Sequence, residues 1–382
     1  MRDSTAKKPV PKSRNALFVT LATLAVLGVS FFGWVYKAKT RRELSIQLLG
    51  AVRNNDTEAV KSLLVRGADP NSSESMEKQQ SVWQQLAHAA RHNDPSDFAK
   101  HTLAVSSSWA SVDLPPDKHD YTALETAVFL DSENVDIIEA LLKAGAGVEG
   151  STDDHRTPLM HAVRQGRLKT VQALLAHGAN PLARDARGRL PVHHIGSIGN
   201  SIAIIDLLLK QGNEVDAIDN ENRTPLMSHR IYARSNVTTL QYLVAKGANV
   251  NARSKGGGSA LLMATMNHNT EAIQLLLEHG AQVNVYDKNK NTALGEALRS
   301  ENIANVELLL AHGADINATI SGGETPLTSC LQRDDPALLK ILLANRPDVN
   351  HRNNAGDTAL SLAKKGHFTE CIRLLEAAGA KR

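Results

Sequence analysis

One recurrence constrains this chain more than any other feature. Gly145, Gly178, Gly212, Gly247, Gly280 and Gly313 follow one another at steps of 33, 34, 35, 33 and 33 residues. The register continues through Arg346 to Gly379 at two further steps of 33. Upstream of these glycines, Pro158, Pro191, Pro225, Ala260, Ala293, Pro326 and Ala359 keep the same beat and mark expected helix starts. A period of this length means a stacked array of small units, not one globular core.

The unit can be read from residues 157–180, TPLMHAVRQGRLKTVQALLAHGAN. Thr157 is an N-cap for the first turn, and Pro158 sits where a missing N–H costs nothing. Leu159, Ala162 and Val163 form one apolar helix face, and Gly166 ends that helix. Val171, Leu174 and Leu175 give the second helix its face, and Gly178 closes it in the left-handed region. Neither helix is long enough to be stable alone, so each must bury its face on a neighbour. The Thr-Pro-Leu opening, the inter-helix Gly, Leu-Leu-Leu and Gly-Ala-(Asp/Asn)-x-Asn resemble ankyrin repeats. The resemblance runs through residues 120–382, expected as eight consecutive repeats ending in a charged C-terminal cap, with no further domain after it. It is specific for fold and says little of function.

Residues 44–72 hold another unit, closed by Gly67. The next closing glycine is 78 residues away. AARHNDPSDFAK (89–100) aligns with AVRNNDTEAVK (51–61), so residues 73–119 are expected to hold a degraded repeat and a loop containing Pro115-Pro116. An unstructured insertion is the other reading. The expected fold class is therefore all-α: an ankyrin-repeat solenoid of about ten helix–turn–helix repeats, preceded by one transmembrane helix.

That helix is expected at residues 16–36, ALFVTLATLAVLGVSFFGWVY, which carry no charge. As a helix it spans roughly 30 Å, the thickness of a hydrocarbon core. Trp34 and Tyr36 sit where aromatic side chains favour the interface. The run is longer than a cleavable leader's, so a signal anchor is expected. Residues 1–15 form a basic tail and residues 37–43 a basic juxtamembrane linker. Five cations before the span against four after it decide orientation weakly. Retention of the tail inside gives a single-pass protein of the bacterial inner membrane with its repeats in the periplasm.

Charge argues against nucleic acid as a partner. The chain holds 43 Lys/Arg and 40 Asp/Glu; residues 1–43 take nine and two of these, leaving 34 against 38 in the remainder. The repeat region is net acidic, so a phosphate-backbone binder is not supported. No GxSxG elbow or phosphate loop occurs, and the KGGGS stretch (255–259) lacks the Gly-Lys-Ser/Thr order. His177, His279 and His312 precede closing glycines, where a cation suits a helix C-terminus. His193-His194 are adjacent, and no Cys–His zinc spacing appears. Cys330 and Cys371 are expected as buried thiols, bridged only if their helices bring them within reach. No catalytic, metal, cofactor or small-molecule site is expected, so the chain reads as non-enzymatic.

The ankyrin resemblance implies that a protein partner binds hairpin tips and the exposed side of each first helix, on the concave surface. Those positions are Asp153, Asp154, Arg156, Arg164 and Gln165; Arg187 and Arg189; Asn220, Glu221, Arg223 and Tyr232; Lys255; Lys288, Lys290 and Arg299; and Arg333. Cations outnumber anions in this row, the reverse of the region's own balance, which points to an acidic segment on the partner. A membrane-anchored, non-enzymatic interaction scaffold is the expected function. The alternatives are a cytoplasmic-facing regulatory or inhibitory module and a non-catalytic subunit of a membrane enzyme complex.

Overall fold

The computed structural model describes residues 37–73, 121–130, 134–150, 154–196, 199–228 and 237–381. They fall into two compact units, residues 1–147 and 148–382. Among the described residues every extended element is a helix, and only two isolated bridges occur, Ser73 with Thr122 and Tyr286 with Thr292. Among them also, no helix is long and apolar enough to cross a membrane. The expected span at 16–36 lies outside the described residues.

In the first unit, α1 covers 37–53 and α2 Thr57–Val65. The expected linker at 37–43 is thus the first part of a helix that continues into the repeat. Leu44, Leu48, Leu49 and Val52 are buried on it. Helices α3 (Ala123–Phe129) and α4 (Val135–Lys143) form the next pair. Asn71 Nδ2 donates to Gly145 O at 3.2 Å, and Gly147 N donates to Asn71 Oδ1 at 2.6 Å. Ala123 N donates to Ser72 O at 3.0 Å. These are bonds between consecutive repeats, so the units at 44–72 and 121–147 stack directly. The expected degraded repeat and loop at 73–119 fall almost wholly on residues 74–120, which lie outside the described residues.

In the second unit the pairs are α5 (Pro158–Arg164) with α6 (Leu168–Ala176), a 3-10 turn (Pro191–His194) with α7 (Ser201–Lys210), and a 3-10 turn (Pro225–Met227) with α8 (Thr238–Ala245). Then come α9 (Ala260–Met266) with α10 (Thr270–Glu278) and α11 (Ala293–Arg299) with α12 (Ile303–Ala311). The last are α13 (Pro326–Ser329) with α14 (Pro336–Ala344) and α15 (Ala359–Lys365) with α16 (Thr369–Ala377). The recurring hydroxyls are caps: Thr157, Ser259, Thr292, Thr325 and Thr358 each accept from a backbone N–H three residues on. The recurring leucines are the core, with Leu174, Leu276, Leu309, Leu342 and Leu375 at zero exposure.

Asn71, Asn251, Asn284, Asn317 and Asn350, each at the end of a closing turn, are clasps. Asn251 Nδ2 donates to Gly280 O at 2.9 Å while its Oδ1 accepts from Gln282 N at 2.8 Å. Asn284 does the same to Gly313 O and Asp315 N, at 2.9 and 2.7 Å. Asn317 and Asn350 accept from Asp348 N and Lys381 N. Each repeat with this Asn thereby satisfies polar backbone that its neighbour's helix end leaves open.

Closing glycines take φ from +80° to +94°, and a Cβ added at any of them meets nothing within 4 Å. Arg346 holds the same station at φ +53°. Only the backbone, not space, reserves this position for glycine.

Two expected helix starts are corrected. Pro191 and Pro225 open 3-10 turns of 4 and 3 residues, and the chain then becomes extended at Ile195 and Ser228. Neither turn has the hydroxyl cap of its neighbours: position 190 is Leu, and the Thr224 hydroxyl makes no cap bond. The first helix of these two repeats does not extend beyond its opening turn.

Candidate functional site

The two shortened elements border a groove of about 730 Å³ in the second unit. Its walls carry Arg156, Arg164, Arg187, Arg189, Arg223 and Lys288 against two carboxylates, Asp219 and Asp287. Both carboxylates are engaged by their own hairpins. Asp219 Oδ1 accepts from Glu221 N and Arg223 N, each at 2.8 Å. Asp287 Oδ1 accepts from Asn289 N and Asn291 N at 2.8 and 2.9 Å. An Asp at the start of a hairpin sets the tip this way by an Asx turn. The tips are joined in series by backbone bonds: Ala186 N to Asp154 O, Asn220 N to Arg187 O, Lys255 N to Glu221 O and Lys288 N to Gly256 O, at 2.8–2.9 Å.

Below the second tip lies a buried polar knot. Asp185 Oδ1 accepts from Arg187 N and Arg189 N, both at 2.9 Å. Its Oδ2 accepts from Arg189 Nε at 2.8 Å and lies 2.7 Å from the Arg189 terminal nitrogen and 3.2 Å from His194 Nε2. Burial raises the Asp185 pKa, but the bonds from His194 and Arg189 outweigh it and hold the carboxyl far below its ordinary range. His193 Nδ1 accepts from Leu190 N at 3.1 Å. That nitrogen is therefore unprotonated, and Nε2 carries the hydrogen it donates to Arg223 O at 3.1 Å. Burial lowers the pKa of both His193 and His194. His161 is lowered to about 4, by burial first and then by the charges of Arg156, Arg164 and His194. At neutral pH these histidines are uncharged, so the groove's positive field comes from arginine and lysine.

The groups available to a ligand differ from those already spent. Arg189 belongs to the knot, and Arg156 pairs with the exposed Asp154 at 3.2 Å. Arg187, Arg223 and Lys288 are exposed and form no side-chain ion pair among the described residues. The floor further along is apolar: Met227 and Leu262 are buried, Met263 is half-buried and Met266 is 49% exposed. Thr224 lines the same groove at 4% exposure, and its hydroxyl has no hydrogen-bond partner among the described residues.

The remaining expected positions are not gathered here. Gln165 caps the C-terminus of α5 outside the groove. Asn220 and Glu221 serve the tip backbone, and Lys255 Nζ donates to Asn220 O. Lys290 lines a separate hollow beside Tyr286. Arg299 pairs with Glu296 and Arg333 with Glu301. Asp153 and Tyr232 lie outside the described residues. Sequence reading missed the knot, because His193 and His194 were placed on a regular helix, and it missed Met227, Met263 and Thr224, which occupy core-type and cap-type positions.

Residues noted for other chemistry have structural roles. Nδ1 of His177, His279 and His312 lies 2.8–3.0 Å from the carbonyl oxygen four residues back, at the ends of α6, α10 and α12. Cys330 and Cys371 are free and buried, and burial above all pushes both thiols up to about 12. Such thiols are poor nucleophiles.

Comparison with known proteins agrees with the architecture. A family model described as ankyrin repeats (3 copies) matches residues 86–185 and 228–320, just over half of the chain. SH3 and multiple ankyrin repeat domains protein 2 of Homo sapiens is 28% identical over 151 residues, 39% of this chain and 8% of that protein. The B-cell lymphoma 3 protein homolog of Mus musculus is 32% identical over 144 residues, 37% of this chain and 31% of that protein. A Danio rerio protein named as a palmitoyltransferase, ZDHHC13, is 34% identical over 113 residues, 29% of this chain and 17% of that protein. The chain spans under a third of the length of each of these relatives. With the recurring caps, cores and clasps in register with that match, the chain belongs to the ankyrin-repeat family.

Proposed function

We propose that this protein is a non-enzymatic interaction scaffold that holds a protein partner at a membrane, with the partner's acidic segment lying in the groove of the second unit. The supporting observation is the gathering of six cationic side chains in one groove of a repeat region that is net acidic by sequence. Charge complementarity of this kind steers encounter and sets specificity. Residues 16–36 are the proposed anchor and residues 1–15 its retained tail. The repeats then face the periplasm of a bacterial cell. The family match from residue 86 supports reading part of the 73–119 stretch as repeat-like.

The test compares wild-type chain with the triple variant Arg187→Glu, Arg223→Glu, Lys288→Glu, crosslinked and affinity-purified from native membranes. These three side chains support no ion pair among the described residues, so folding should survive their reversal. A protein recovered with the wild type should be lost with the variant, and equal recovery rejects the groove as the site. Deletion of residues 16–36 should move the chain from the membrane to the soluble fraction. A reporter fused after Lys381 reads which side of the membrane the repeats face.

A further inference from the structure

The groove is not uniformly basic along its length. Its cationic side chains come from the tips and first elements of the leading repeats, Arg156 to Arg223. The next stretch of floor is Met227, Met263 and the half-exposed Met266, and Lys288 stands beyond it. At the junction sits Thr224, almost wholly buried, with a hydroxyl that has no partner within the described protein. A buried polar group left without a partner is destabilising. Methionine is an adaptable apolar surface, suited to accept a large side chain of variable shape.

Building on the proposed partner site, we infer that the groove selects a bipartite peptide: acidic residues over Arg187 and Arg223, beside one large apolar side chain that covers Met263 and Met266. The peptide backbone supplies the partner that the Thr224 hydroxyl lacks. Acidic character alone brings a segment to the groove; the apolar residue fixes its register there. A uniformly charged polyanion meets the first requirement and wastes the methionine floor, whereas an uncharged apolar peptide meets only the second.

Fluorescence anisotropy with the purified full chain tests this. Three labelled synthetic peptides of equal length serve as probes: a Glu run flanking one Leu, the same peptide with that Leu replaced by Ala, and the Leu peptide with every Glu replaced by Gln. The Glu–Leu peptide should bind about tenfold more tightly than its Ala counterpart, the effect of burying one large aliphatic side chain. The Gln peptide should bind more weakly still and lose its salt dependence. Met266→Ser, an exposed substitution, should make the Leu and Ala peptides equal while leaving the salt dependence intact. Thr224→Val should weaken all three peptides alike. Equal binding of the Leu and Ala peptides to the wild type overturns the bipartite reading and leaves an acidic-segment site standing. Equal binding of the Glu and Gln peptides overturns the charged groove itself. A single-stranded oligonucleotide that binds as tightly as the Glu–Leu peptide overturns peptide selectivity.

Discussion

The repeats at 254–314 and those at 185–228 begin from similar hairpins and reach different ends. In the former, a hydroxyl caps the first helix, seven residues of helix follow, and no titratable side chain is buried in α9 or α11. In the latter, the first element shrinks to a 3-10 turn, and Asp185, His193, His194 and Asp219 are buried. The regular repeats are held by hydrophobic burial and clasps. The irregular ones replace part of that with a charged knot, and the ligand-accessible arginines stand on top of it. Regularity gives the array its stability; its local failure makes room for a groove.

That contrast can be broken at one atom. Asp185→Asn should destabilise the second unit by about 3 kcal/mol, because it leaves the Arg189 guanidinium and His194 in place without their carboxylate. Asp287→Asn removes a carboxylate that accepts only from neutral groups and should cost less than about 1 kcal/mol. Denaturant melts of the two variants check the difference, and equal losses show that the knot is no more important than an ordinary hairpin turn.

Acid separates the two regions next. His161, His193 and His194 have folded pKa values below their ordinary 6.5, so the unfolded chain binds more protons as pH falls below that value. Stability is full above about 6.5 and is lost as pH drops toward about 4, the folded value of His161. The loss should be about 3 kcal/mol or more, and hydrogen exchange should place it at residues 158–228 and not at 260–314. Uniform acid lability across the second unit rejects this. A smaller effect of opposite sign sharpens the picture of the regular repeats. Arg346→Gly relieves a left-handed non-glycine residue and should stabilise by about 1 kcal/mol, while Gly178→Ala should destabilise by a similar amount; thermal melts read both.

Most of the scaffold is legible in the sequence because one residue type does one job at each station. Thr157, Thr292 and Thr358 cap, Leu174 and its counterparts fill, and Gly178 and its counterparts turn. The groove's cations were legible for the same reason, since Arg156, Arg189 and Arg223 share a register whose place the family resemblance supplies. What was not legible depends on contacts between repeats. Pro191 and Pro158 carry the same start signal, and Leu190 in place of Thr157 and Gly196 in place of Val163 separate them. Arg189 and Arg187 look alike in sequence, yet one is bound by Asp185 and the other is free to meet a partner. Met227 and Met263 sit where any apolar residue would pack, and only the recession of two first elements beside them turns them into a floor.

The asparagine clasps have a mechanical consequence. Asn251, Asn284, Asn317 and Asn350 each tie one closing turn to the next, so tension applied at the C-terminal end loads them in series rather than together. Under such a pull the array should peel in discrete steps, each releasing about one repeat's length of chain. A partner tugging from that end would feel a compliant line that pays out gradually, not a stiff bar that snaps.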